Sequence, residues 1–284
     1  MPNSFVYIQA WLTFFMVGVG LSCKQQSSKR PEISKEEAPT LALSALIPYD
    51  TGIHTIHVLV ALADNTYQGI VPVPTRIGNG QNPNENLYWG CNFGLRSYFK
   101  KSKDWHLVKS IKGDSLMLER LIFKHAVKTC YLIADAYNGK QIKTCTHHFL
   151  QASTGQLKDT VMADGHILGT LGNAPLVAYM GHNGLMDFAL ANTYHNADGI
   201  RRKAIILACF SQRYFAKLLQ NAYVQPLLLT TGLMAPEAYT LHEALDSYLH
   251  QQEEAPLRKR AAQAYALYQH CSLRAANPLF VSHW

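Results

Sequence analysis

Apolar runs of strand length recur along the chain, separated by polar passages rich in turn residues. Ile56 to Ala63 (IHVLVALA) is β-branched and apolar in both phases of a two-residue period, which predicts a strand buried on both faces, as in a parallel sheet. Cys130 to Ala136 (CYLIADA), Leu176 to Met180, Ala204 to Ala208 and Pro226 to Thr231 are further runs of this kind. Helical stretches are expected at Gln141 to Leu150, Ser211 to Gln220, Pro236 to His250 and Glu254 to His270. Pro236 suits a first helical turn, where its missing N–H has no partner to lose. Leu87 to Phe99 puts Leu87, Cys91, Leu95 and Tyr98 on one face and predicts another helix despite Gly90 and Gly94. Trp105 to Ala126 has room for a strand pair around Gly113-Asp114. Strands alternating with helices predict an α/β fold, a mostly parallel central sheet with helices on both faces.

The N-terminal region breaks this pattern. Residues 1–22 carry no charged side chain, are mostly apolar from Phe5 to Leu21, and read as an export signal. Gly20-Leu21-Ser22-Cys23 resembles the lipobox of bacterial lipoproteins, with Gly20 where that family usually has Leu. The resemblance implies cleavage before Cys23, lipidation of its thiol and membrane attachment through the lipid. Lys24 after the acylated Cys implies, by the same resemblance, a cell-envelope lipoprotein on the outer membrane, facing periplasm or exterior. An ordinary cleaved signal and an uncleaved anchor are the alternatives. Residues 23–40 are rich in Lys, Gln, Ser, Glu and Pro and read as a flexible tether. A single α/β domain is expected over residues 41–284.

Composition narrows the partners. Of 284 residues 48% are hydrophobic and 16% charged, enough to bury a substantial core. The formal net charge is +7, but the basic residues are scattered, so no nucleic-acid partner is expected. Besides Cys23 there are five cysteines, Cys91, Cys130, Cys145, Cys209 and Cys271. An odd number in an exported chain leaves one thiol free, and Cys209 is the candidate; the other four could form two disulfides or none.

Two of the apolar runs end on reactive residues. The first gives Tyr179-Met180-Gly181-His182-Asn183-Gly184, and the second gives Ile206-Leu207-Ala208-Cys209. If both runs are parallel strands, His182 and Cys209 share the sheet edge where open α/β sheets place their ligand crevices. Cys supplies a thiolate nucleophile and His the proton transfer. An apolar strand ending in His-Gly followed by one ending in Ala-Cys resembles the signature of the caspase-like cysteine peptidases, which include caspases, metacaspases, legumains, gingipains and separases. The resemblance spans roughly residues 56–249 and implies a caspase-like fold and peptide or protein substrates. It makes His182 the general acid/base, Cys209 the nucleophile, and the amides of Asn183 or Gly184 and Cys209 the oxyanion donors. The family has Gly directly after the His, whereas Asn183 intervenes here. By the same carry-over, Asp64-Asn65 after the first strand lines the substrate pocket, and Asp64 implies a preference for Arg or Lys.

Other chemistry is thinly supported. His54 and His57 are expected on opposite strand faces, and the adjacent His147 and His148 diverge on a helix, so no metal site and no cofactor are expected. Gly78-Asn79-Gly80 lacks the Lys-Ser/Thr ending of a phosphate loop and reads as part of a lid. Tyr88, Trp89, Phe93, Tyr98 and Phe99 read as core. The rival to a peptidase is a catalytically silent caspase-like envelope lipoprotein that binds a protein or glycan partner through the same crevice. The sequence leaves the oligomeric state open.

Overall fold

The computed structural model describes residues 48–251 and 254–284; the signal segment, Cys23 and the tether lie outside them. In chain order the first elements are β1 (His54–Ala61), α1 (Leu95–Lys101), β2 (Trp105–Lys112), β3 (Met117–His125), β4 (Cys130–Tyr137) and α2 (Ile142–Ser153). Then come β5 (Lys158–Ala163), β6 (His166–Leu171), β7 (Leu176–Gly181), β8 (Lys203–Leu207), α3 (Ser211–Leu219) and β9 (Gln225–Thr230). The chain closes with α4 (Ala238–Leu249), α5 (Glu254–Tyr268), the short α6 (Leu273–Ala276) and β10 (Phe280–Val281).

Eight strands form one sheet in the order β10-β9-β8-β7-β1-β4-β3-β2. The five central strands β9, β8, β7, β1 and β4 are mutually parallel, while β10, β3 and β2 are antiparallel to their neighbours. The near-continuous apolar character of β1, β4 and β7 has its cause in this arrangement, because both faces of each are covered. One face packs Val58, Val60, Ala178, Met180 and Leu207 against Leu95, Phe99, Leu241 and Leu245 of α1 and α4. The other packs Leu59, Val177, Tyr179 and Ile206 against Phe149 of α2 and Phe215 of α3. The fold is thus α/β, a mostly parallel sheet flanked by helices on both faces.

Strand order runs outward from β1 in both directions, to β4 on one side and β7 on the other. That reversal falls between β1 and β7, and α/β sheets hold ligands beyond the C-terminal strand ends at such a point.

Three local expectations change. The helix expected over Leu87 to Phe99 is confined to Leu95–Lys101, and its first half is a series of turns. Asn86 explains this: its carbonyl accepts the amides of Trp89, Gly90 and Cys91, and a Cβ at Gly90 would fall 2.0 Å from the Asn84 carbonyl oxygen. Pro236 precedes the helix, whose N-cap is Glu237. The hairpin β5-β6 was not expected; Leu168 and Ala163 pack it onto Tyr131 and Ile133 in a small core of its own.

Candidate active site

The parallel register fixes where the two reactive residues emerge. Leu176 pairs with Lys203 and Met180 with Leu207, and His182 and Cys209 each lie two residues beyond that last pair. Each leaves its strand at the same edge and at the same level, and neighbouring strands lie about 4.8 Å apart.

Each strand exit is held by its surroundings. Gly181 adopts a φ of +145°, and a Cβ there would sit 2.6 Å from the Ala61 carbonyl oxygen, so only glycine lets β7 turn out beside β1. Beyond Cys209, Phe210 lies in the left-handed region at φ 51° and caps α3, bending the chain sharply after the thiol. Two hydroxyls brace that bend: Ser211 Oγ donates to the Ile206 carbonyl at 2.9 Å, and Thr230 Oγ1 donates to the carbonyl of Ala208. The strain and the bracing together hold Cys209 at a defined place.

His182 is 6% exposed and its Nε2 lies 2.8 Å from Asp187 Oδ2. A carboxylate only accepts, so Nε2 carries a proton, and in the neutral ring Nδ1 has the lone pair. Asp187 also accepts the Gly69 amide at 2.9 Å, which ties the loop after β1 to the segment after β7 across the crevice. Tyr179 Oη donates to the His182 carbonyl at 2.7 Å. Among the described residues Nδ1 of His182 has no hydrogen-bond partner, and no hydrogen bond joins it to Cys209.

The half-buried Cys209 meets the loop after β9. Its Sγ accepts the Met234 amide at 3.4 Å and lies 3.6 Å from the Met234 carbonyl. Burial pushes the Tyr88 phenol well up, with Cys209 and Glu237 adding to the shift. Burial likewise raises the Glu237 carboxyl, against hydrogen bonds from Tyr239 and Gln269. The thiol packs against the apolar cluster that contains Tyr88 and Met234.

Asn183 has a role beyond its position after His182. Its Nδ2 donates to the Cys209 carbonyl at 2.6 Å, and its Oδ1 accepts the Leu185 amide at 3.1 Å, capping a short 3-10 turn. One side chain straps the two strand exits together. The backbone amides of Asn183, Gly184 and Cys209 donate to no acceptor among the described residues.

Asp64 and Asn65 lie beyond β1 at the same edge, but their side chains serve their own loop. Asp64 is 2% exposed; Oδ1 accepts the Thr66 and Tyr67 amides and Oδ2 accepts from Gln81 Nε2 at 2.6 Å. Asn65 bonds both the amide and the carbonyl of Val73, and its own amide donates to Gly78. The polar passage from 65 to 86 is laced down by these contacts and by Asn86, which bonds the amide and carbonyl of Ala63.

The five described cysteines, Cys91, Cys130, Cys145, Cys209 and Cys271, are all free thiols. Burial raises Cys130 to about 12 and Cys145 well above the usual thiol range, so both are inert hydrophobes.

Sequence reasoning missed Asp187, Tyr179 and Met234. A carboxylate five residues after His182 was the available signal for the first; nothing local marks the other two.

No protein-family model, no curated protein and no solved structure matches the chain. Its mostly parallel, doubly covered sheet is compatible with a caspase-like fold, and the site must be read on its own chemistry.

Proposed function

We propose that this chain is a caspase-like cysteine peptidase, with Cys209 as nucleophile, His182 as general acid/base and Asp187 as the residue that orients His182. The observation that carries the reading is the pair of strand exits: a histidine with an oriented ring and a free Nδ1 lone pair level with a thiol beside unengaged amides.

The reaction runs as acyl transfer. His182 Nδ1 takes the Cys209 proton as Sγ attacks the peptide carbonyl carbon, and the S–C bond forms. The oxyanion is met by the amides of Asn183 or Gly184 and Cys209, a class of donor worth about 10²–10³ in rate. The C–N bond then breaks and His182 returns the proton to the leaving amine. Water attacks the thioester with His182 as base, releasing the carboxylic acid and restoring the thiol. Imidazole and thiol close on one another as substrate binds, since such hydrogen bonds are often long in unliganded enzymes. Asp64 and Asn65 act on substrate by holding the loop that walls the crevice.

A second reading rests on Sγ itself, whose hydrogen bonds go to Met234 and not to His182. In that reading the crevice binds a protein or glycan partner without turnover. A fluorogenic peptide library separates the two. Turnover that vanishes in Cys209→Ala supports the peptidase, and no turnover of any peptide supports the silent binder; with the Asp64 carboxylate engaged by its own loop, no preference for Arg or Lys before the scissile bond is required.

The envelope placement is part of the same proposal and rests on the sequence of residues 1–40. Mass analysis of the membrane fraction tests it: a lipidated N-terminal Cys23 is expected, and an intact Met1 contradicts it.

A further inference from the structure

A cavity of about 650 Å³ lies at the opposite edge of the sheet from His182 and Cys209. It opens where β1, β4, β8 and β9 begin and where α4 meets α5. Its volume falls in the range of small-molecule sites.

Its walls divide by chemistry. Lys128 and Lys203 supply two cations, and neither has an ion-pair partner among the described residues, in a protein whose Arg120, Arg202 and Arg260 are all paired. Lys203 Nζ stands 4.8 Å from the centroid of the Tyr248 ring, and Tyr248 Oη is 3.0 Å from His54 Nε2. Leu227, Leu249 and Leu257 form an aliphatic wall. Among the described residues Glu254 is the acidic group on the lining, and its Oε2 is already held by Ser282 Oγ at 3.0 Å.

Lys128 and Lys203 on one lining with Leu227, Leu249 and Leu257 suit a ligand with one charged end and one apolar end. We propose that this cavity binds a small amphipathic carboxylate, its charge between Lys128 and Lys203 and its hydrocarbon chain on Leu227, Leu249 and Leu257. One carboxylate suits the site better than a dianion, because Glu254 shares the lining. The tilted contact between Tyr248 and His54, ring centroids 5.5 Å apart, forms the firm wall against which the head group rests. Burial, with Lys203 beside it, lowers His54, which leaves its imidazole neutral and the lysines as the cationic groups.

The test is titration calorimetry on the full chain with octanoate, alongside acetate, octanol and inorganic phosphate as separate probes. Octanoate is expected to bind with a stoichiometry of one and to displace the His54 imidazole resonance in the proton spectrum. Acetate, octanol and phosphate are each expected to bind at least about tenfold more weakly, since each lacks one half of the ligand. Lys203→Gln and Lys128→Gln are each expected to weaken octanoate about tenfold. Lys128 is an exposed turn residue, so its variant stays folded and decides the matter if the β8 substitution does not. Absence of octanoate binding, octanol or phosphate binding as tightly as octanoate, or undiminished affinity in Lys128→Gln would each overturn the site. The cavity is remote from Cys209, so this outcome is independent of peptidase activity.

Discussion

The molecule contains two histidine–aspartate pairs with the same contact, Nε2 to Oδ2 at 2.8 Å, and they differ in everything around it. His57 and Asp135 lie wholly buried in mid-sheet on β1 and β4. There the second ring nitrogen accepts the Leu171 amide at 2.6 Å, and Arg120 binds Asp135 through both oxygens at 2.6 and 2.7 Å. Both ring nitrogens of His57 and both carboxylate oxygens of Asp135 are engaged, and the set fastens the β5-β6 hairpin to the sheet. His182 and Asp187 sit at the strand ends, where the second ring nitrogen has no partner among the described residues and a thiol emerges one strand away. The same pair is a staple where its bonding is saturated and, in the proposed mechanism, a proton carrier where one nitrogen is left over. Local saturation, not the presence of the pair, separates structure from chemistry.

Substitutions at the two pairs should separate along that line. Cys209→Ala removes the proposed nucleophile and is expected to lower peptide turnover by about 10⁴-fold or more, read by single-turnover kinetics, with the melting temperature nearly unchanged. Asp135→Asn strands the Arg120 guanidinium in the interior. It is expected to destabilise by about 3–5 kcal/mol in urea unfolding. Its counterpart Asp187→Asn should leave unfolding within about 1 kcal/mol of the parent while turnover falls on the order of 10²-fold, from loss of ring orientation. Similar unfolding curves for the two aspartate variants would erase the distinction.

Two smaller effects sharpen it. Burial lowers His148 to about 4 from 6.5, so the unfolded chain takes up a proton there that the folded chain refuses. Its contribution is complete above pH 6.5 and is lost as pH falls towards 4, by on the order of 3 kcal/mol. His148→Phe should flatten that part of the stability profile, and an unchanged slope would remove the assignment. Asn183→Gly restores the residue found in caspase-like peptidases at that place but cuts the strap to the Cys209 carbonyl. A loss of about 1–2 kcal/mol in stability is expected, measured by thermal unfolding.

What could be seen in the sequence followed from periodicity. The five central strands are apolar on both faces and therefore stand out, and the ordered pair His182 and Cys209 could be placed at one edge from strand ends alone. The hairpin β5-β6 could not, because residues 158–161 are all only partly buried and their side chains lack a clear alternation. The turns at 87–94 escaped for another reason: the bonds of Asn86 and the close approach at Gly90 override a helical pattern, and neither has a periodic signature. Asp187 was hidden because a bond between a side chain and a ring in the same loop depends on the path of the 3-10 turn that Asn183 caps. Asp64 was visible as an acid at the right edge, but its engagement by Thr66, Tyr67 and Gln81 depends on how the loop folds back.

The central claim, that the leftover nitrogen of His182 activates Cys209, is tested most directly by a thiol-reactive peptide probe with mass-spectrometric readout. Cys209 is expected to label faster than the partly exposed Cys91 and Cys271, to slow in Asp187→Asn, and to stop labelling in His182→Ala. Equal labelling of Cys209 in the parent and in His182→Ala would contradict the account.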